Sequence, residues 1–168
     1  MTKVLVTAAS KHGATTAIAR AIGEALQAEG LETTVLPPED VTGVAGYDAV
    51  VIGSAVYMGR WLEPAKRLVE RDGAALVARS VWLFSSGPVG DPPKPAEDPV
   101  DVAELIAAAG AREHRVFPGT VVKKGLGFGE KAVVAALRVP EGDFRPWDEI
   151  RAWAKEIAAT LADAGKGD

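Results

Sequence analysis

The amino-acid sequence predicts an α/β domain in which five parallel strands form a doubly wound sheet with helices on both faces. Three observations lead there. Short unbroken apolar runs such as Val4-Leu5-Val6 and Ala49-Val50-Val51-Ile52 suit strands buried on both sides. Such runs alternate with stretches whose apolar residues recur at helical spacing, the pattern of right-handed βαβ crossovers. At 168 residues the chain is long enough for one core and short for two, so a single domain spanning 1–168 is expected.

The elements follow in order. Val4 to Ala8 is the first strand, ending in the loop Ala9-Ser10-Lys11-His12-Gly13. Ile18, Ile22 and Leu26 recur every four residues and mark the first helix, with Gly30 placed to cap its C-terminus. Leu31 to Leu36 reads as the second strand, stopped by Pro37-Pro38, and Asp48 to Gly53 as the third and most apolar. The second helix has Pro64 in its first turn, an inward face of Leu62, Ala65, Leu68 and Val69, and Gly73 past its end. Ser80 to Phe84 is the fourth strand. Asp98-Pro99 pairs an N-cap residue with a proline at the first helical position, ahead of a stripe of Val102, Leu105, Ile106 and Ala109 closed by Gly110. Arg112 to Phe117 is more polar and reads as an edge strand. Ile150, Trp153, Ile157 and Leu161 mark a long amphipathic last helix after Pro146. The stretch 119–145 is too long for a plain strand-to-helix connection and reads as an insertion.

Composition narrows the chemistry. The chain has no cysteine, which removes disulfides, thiolate metal sites and a cysteine nucleophile, so a redox role requires a bound cofactor. It carries 19 basic and 23 acidic residues, a net charge of −4, which argues against a nucleic-acid surface. The N-terminal residues run straight into a strand, and no apolar run is long enough to cross a bilayer, so a cytoplasmic protein without a transmembrane segment is expected.

In an open parallel sheet, ligands bind beyond the carboxyl ends of the strands where the strand order reverses. Three loops collect there. The first, Ser10-Lys11-His12-Gly13-Ala14-Thr15-Thr16, sets three hydroxyls and a glycine at a helix start, where backbone N–H groups and the helix dipole favour an anion. A terminal phosphate monoester fits better than a pyrophosphate, because the loop lacks G-x-G-x-x-G; no Walker A pattern is present. The second loop carries Ser54-Ala55-Val56-Tyr57-Met58-Gly59 after the most buried strand. Its small residues admit a flat ligand, Tyr57 offers a ring face for stacking, and Trp61 reads as packing. A backbone N–H here could bond the N5 of a flavin. The third loop, Ser85-Ser86-Gly87 through Asp91, could cup a polar heterocyclic edge, although turn chemistry alone also selects its Gly and Pro.

Together these loops resemble the flavodoxin superfamily. The family's phosphate pattern, hydroxyl-x-Thr-Gly-x-Thr, maps onto Ser10-x-His12-Gly13-x-Thr15, with His12 in place of the middle hydroxyl. The resemblance implies a flavodoxin-like doubly wound five-stranded sheet of order 2-1-3-4-5 and FMN as the cofactor. The nearer resemblance is to flavodoxin-like menaquinone-dependent protoporphyrinogen dehydrogenases, carried by Tyr47-Asp48-Ala49-Val50-Val51-Ile52-Gly53-Ser54. Ala135-Ala136-Leu137-Arg138-Val139, Trp147-Asp148 and Ala154-Lys155-Glu156-Ile157-Ala158 carry it further. Members of that family bind FMN and pass reducing equivalents from a porphyrinogen to a quinone at the membrane, which implies a small-molecule partner of either class and leaves peripheral membrane contact open. The 119–145 insertion is shorter and richer in glycine than theirs.

Rival readings are weaker. Gly125-Leu126-Gly127-Phe128-Gly129 lies within the insertion, and no acidic residue follows at the distance a dinucleotide fold requires. Lys123, Lys124, Lys131 and Arg138 make that stretch basic, as a solvated face or a contact for an anion. Glu113 and His114 within one strand point to opposite sides, so no metal cluster forms there, and His114 is expected at the surface. Ser10, Ser54 and Ser85 lack a partnered His in an elbow motif, against hydrolase chemistry. A phospho-acceptor receiver needs acidic residues where Ala8-Ala9-Ser10 and Ile52-Gly53-Ser54 stand. An FMN oxidoreductase and an electron carrier remain, the insertion and the mild charge favouring the enzyme; no side chain reads as its acid or base.

Overall fold

The computed structural model describes residues 2–11, 13–57, 59–87, 101–117, 120–121, 142–143 and 146–166. Its elements are β1 (Lys3–Ala9), α1 (Ala14–Ala28), β2 (Glu32–Leu36), a 3-10 turn (Pro38–Asp40), β3 (Ala49–Tyr57), β4 (Arg60–Trp61) and α2 (Glu63–Val77). They continue with β5 (Ser80–Ser86), α3 (Val102–Ala109), β6 (Glu113–Phe117), β7 (Thr120–Val121), β8 (Gly142–Asp143) and α4 (Trp147–Lys166).

The five long strands pair in parallel in the order β2-β1-β3-β5-β6, the flavodoxin-like order expected, with β4 folded back antiparallel on β3. Alternation along each strand divides the core into two layers. Val4, Val6, Val51 and Phe84 face α1 and α4, where they meet Ile18, Ile22, Leu26, Ile150, Trp153 and Ile157. Leu5, Val50, Ile52 and Leu83 face α2 and α3, against Leu68, Val69, Leu76 and Leu105. Both sides of the central strands are thus dry, which is why they read as continuous apolar runs. β6 lies at one edge and is only half-buried along most of its length, as its polarity predicts.

The first helix ends as its sequence indicates. Gly30, at φ +89°, donates its N–H to Gln27 and the Leu31 N–H reaches Leu26, a Schellman closure. Elsewhere the boundaries move. α2 does not stop before Gly73 but continues to Val77. A Cβ at Gly73 would stand 3.3 Å from the Ala108 carbonyl oxygen, so the glycine serves the close approach of α2 to α3 and not a helix end. α3 starts at Val102 after Asp101, later than the Asp98-Pro99 signal, which lies outside the described residues. The Asp101 carboxylate makes no capping bond to its own helix. The short antiparallel pair β7–β8 brings the two ends of the predicted insertion together; residues 122–141 lie outside the described residues.

Candidate functional site

Register assembles the site. Parallel pairing sets Ala9 beside Ser54 and Ser54 beside Ser85, so the three strands that carry the predicted loops end side by side. β3 and β5 overrun the expected boundaries and reach Tyr57 and Ser86. Ser54, Ala55, Val56 and Tyr57 therefore belong to a strand that turns at Gly59 into β4, and the second loop is a hairpin. Strand continuation wins over loop formation because β5 offers Ala55 a pairing partner in Ser86, and β4 offers partners to Val56 and Tyr57.

The first loop turns into α1 through Gly13, the helix N-cap, at φ +87°. That left-handed backbone strains any residue with a Cβ. The Gly13 N–H donates to the Ser10 hydroxyl at 2.9 Å, which closes the turn. No side chain caps α1, and its first turn of Ala14, Thr15 and Thr16 holds no acidic residue. The helix start therefore presents backbone donors and the positive end of its dipole without a built-in carboxylate. Thr15 is buried, Ser10, Ala14 and Thr16 are half-buried, and Lys11 and Gly13 are exposed. His12, Met58 and Asp91, the other predicted site residues, lie outside the described residues.

Described residues of the loops meet on two sides of the hairpin. The Lys11 ammonium sits 3.7 Å above the centroid of the Tyr57 ring, joining the first loop to the hairpin. Tyr57 is one of two large hydrophobic side chains exposed among the described residues. On the other side, a Cβ at Gly87 would come 3.0 Å from the Val56 carbonyl oxygen, so the chain leaving β5 lies directly against the hairpin backbone at Gly87. The Gly87 N–H reaches the Phe117 carbonyl at 3.4 Å.

Beneath this surface the predicted serines are occupied. Ser54 is fully buried; its hydroxyl accepts the Leu62 N–H and donates to the Ala55 carbonyl, both at 2.8 Å. Ser85 is fully buried too, its oxygen accepting the Trp61 indole N–H at 2.7 Å and lying 2.7 Å from His114 Nε2. His114 is thus half-buried and bonded under the hairpin, not a free surface residue, and Ser85 has the histidine neighbour that the sequence did not reveal. No elbow exposes that serine: it is a strand residue within the sheet. Ser86 is buried on the opposite face.

Asp101 and Lys66 escaped the sequence reading. The buried Asp101 carboxylate accepts the Trp61 backbone N–H at 3.3 and 3.4 Å and pairs with Lys66 at 3.4 Å. This ties the hairpin, α2 and the start of α3 together across forty residues, a separation at which no local pattern gives a signal. Trp61 is nearly fully buried, as expected of packing, and the hairpin hangs on it.

A scan against family models matches residues 5–145 to a flavodoxin domain, and the chain belongs to that family. Solved structures agree in fold. A flavodoxin from the domain Archaea aligns at 18% identity over 95% of this chain and 99% of its own, with a TM-score of 0.65. A short-chain flavodoxin associated with a bacterial microcompartment aligns at 16% identity over 98% and 99%, TM-score 0.62. The rubredoxin:oxygen oxidoreductase of Desulfovibrio gigas aligns at 15% identity and TM-score 0.67 over 96% of this chain, which spans only 36% of that protein. Family membership implies FMN as the cofactor. The uncapped, acid-free start of α1 suits its phosphate, and the exposed Tyr57 ring suits a flat heterocycle. No helix among the described residues is long and apolar enough to cross a membrane.

Proposed function

We propose that this protein is an FMN-dependent oxidoreductase that exchanges reducing equivalents with a small organic partner of the quinone or porphyrinogen class. The observation that carries the reading is the start of α1, where a glycine cap and the absence of acids leave backbone donors for a phosphate monoester at the strand ends. Thr15 and Thr16, with the backbone of the turn that Gly13 and Ala14 form, would hold the phosphate; the Gly13 N–H itself is bonded to Ser10. The Tyr57 hairpin and the Ser86-Gly87 backbone would border the ring, while Trp61, Ser85 and Asp101 keep the hairpin in place from below. FMN, when bound, supplies the hydride or electron chemistry at its ring.

The rim favours a small anionic or neutral substrate over a cationic protein partner. The described residues of the three loops, within 10–16, 54–62 and 85–87, contain no acid, and Lys11 and Arg60 are both exposed there; Asp91, outside the described residues, is the one acid of the third loop. An electron carrier usually docks through a dense anionic edge. A cytoplasmic location belongs to the same reading. The second reading, a carrier with no substrate of its own, draws on the whole-length match to flavodoxins.

Titration of the purified protein with FMN, followed by steady-state assays with quinones and a porphyrinogen, tests the proposal. Quinone turnover at the bound flavin supports the enzyme; fast transfer to a redox protein with no quinone turnover supports the carrier. Thr16→Glu, and independently Thr15→Asp, should abolish FMN binding while the far-UV CD spectrum persists, because an acid in the first turn suits the helix dipole but repels phosphate. Unchanged affinity in both variants would remove the phosphate assignment.

A further inference from the structure

We propose that Lys11 makes the site specific for the phosphorylated flavin: its ammonium competes with the flavin ring for the face of Tyr57, and only a ligand that also brings phosphate draws it away. The inference rests on the FMN reading above and assigns this residue a role within it.

The geometry sets up the competition. Lys11 Nζ lies 3.7 Å from the Tyr57 ring centroid, in cation–π contact, and a heterocycle stacking on that face needs the space the ammonium fills. Lys11 is also only two residues ahead of Gly13, the cap of the helix whose start presents the phosphate donors. The same side chain therefore lies within reach of both halves of the seat. The first turn of α1 is free of acids, so a phosphate seated there would add negative charge close to the lysine. A charge-assisted bond to phosphate is stronger than a cation–π contact to a partly exposed tyrosine, so FMN recovers the cost of displacing the ammonium. Riboflavin has the ring without the phosphate and bears that cost in full. Discrimination arises from a contact that the wrong ligand must break without replacing.

The test compares the two flavins by fluorescence titration in the wild-type protein, Lys11→Met, Tyr57→Leu and the double variant. Lys11 is exposed in a loop, so Lys11→Met leaves the fold intact. In Lys11→Met, riboflavin binds about two- to fivefold more tightly, the range that a surface cation–π contact converts to, while FMN binds more weakly. In the Tyr57→Leu background the same substitution no longer improves riboflavin binding, since the shared ring face is gone. Riboflavin affinity that stays level or falls in Lys11→Met, or that improves equally without Tyr57, overturns the competition even where FMN binds tightly. A wild-type protein that binds neither flavin overturns the functional reading, and this inference with it.

Discussion

Gly53→Ala is the most exacting test of how the site is supported. Gly53 is the β3 residue before Ser54, and Phe84 lies across it from β5. A Cβ at Gly53 would stand within 2.5 Å of the Cε1, Cε2 and Cζ atoms of that ring, where 3.4 to 4 Å is ordinary contact. The ring or the strand must therefore yield by about 1 Å. Phe84 has nowhere to go: it is fully buried, with Phe117 and Trp153 at centroid distances of 6.2 and 6.1 Å. Overpacking of this kind costs about 1–3 kcal/mol, against a gain of about 0.4–1 kcal/mol from the stiffer unfolded chain. The net expectation is a loss of about 1.3 kcal/mol, which lowers the urea midpoint by about 0.7 M at a slope of about 2 kcal/mol/M. Tryptophan fluorescence during urea unfolding reads it, Trp153 being in contact with the strained ring. FMN affinity should fall as well, because the displaced strand end carries Tyr57. Adding Phe84→Leu should recover part of the loss, so the double variant is less damaged than the two single effects combined. A stability within about 0.3 kcal/mol of wild type for Gly53→Ala, under about a quarter of the expected loss, would refute the close-packing argument.

Three further outcomes follow from the same packing. Asp101→Ala leaves the Trp61 N–H without its carboxylate and Lys66 without its buried partner, so stability should drop by about 1–3 kcal/mol with FMN affinity falling alongside; intact FMN binding would mean that the hairpin does not depend on this anchor. Thr7 is fully buried on β1, and its hydroxyl has no partner among the described residues. Thr7→Val should therefore raise the thermal midpoint, by about 1–3 kcal/mol of stability, and a destabilised variant would show that the hydroxyl has work to do. Burial alone would raise the Glu113 pKa, but hydrogen bonds from the Trp153 indole and Arg115, together with the Arg115 charge, outweigh it and hold the carboxyl below its ordinary 4.5. A lowered folded pKa gives stability that is full above pH 4.5 and is lost as pH falls through the folded value. Glu113→Gln should flatten that acid limb in urea titrations at pH 3 to 5, taken around the ordinary carboxylate range; an unaltered limb would exclude Glu113 as its source.

Much of this was open to reading because it is local. The apolar runs of β1 and β3, the four-residue rhythm of Ile18, Ile22 and Leu26, and Gly30 after α1 each act within one element, where period and backbone preference leave a direct trace. The glycine, threonines and missing acids at the start of α1 are equally local, so the anion cradle could be proposed from them. The ends of elements were less legible. β3 and β5 extend because each finds a partner to pair with, and α2 runs through Gly73 because α3 packs closely against it; such choices depend on neighbours remote in sequence.

The chain by itself thus determined the alternation of strands and helices and the parallel, doubly wound sheet, since these rest on periodicity and handed crossovers; the strand order came with the family resemblance, and the proposed phosphate seat with the dipole of a single helix. Only the tertiary structure decided that Ser54 and Ser85 are spent beneath the hairpin, that His114 and Asp101 support it, and that Lys11 covers Tyr57. The physical reason is that a hydrogen bond or cation–π contact depends on the position of two groups, and here folding brings together groups from eight to forty-six residues apart.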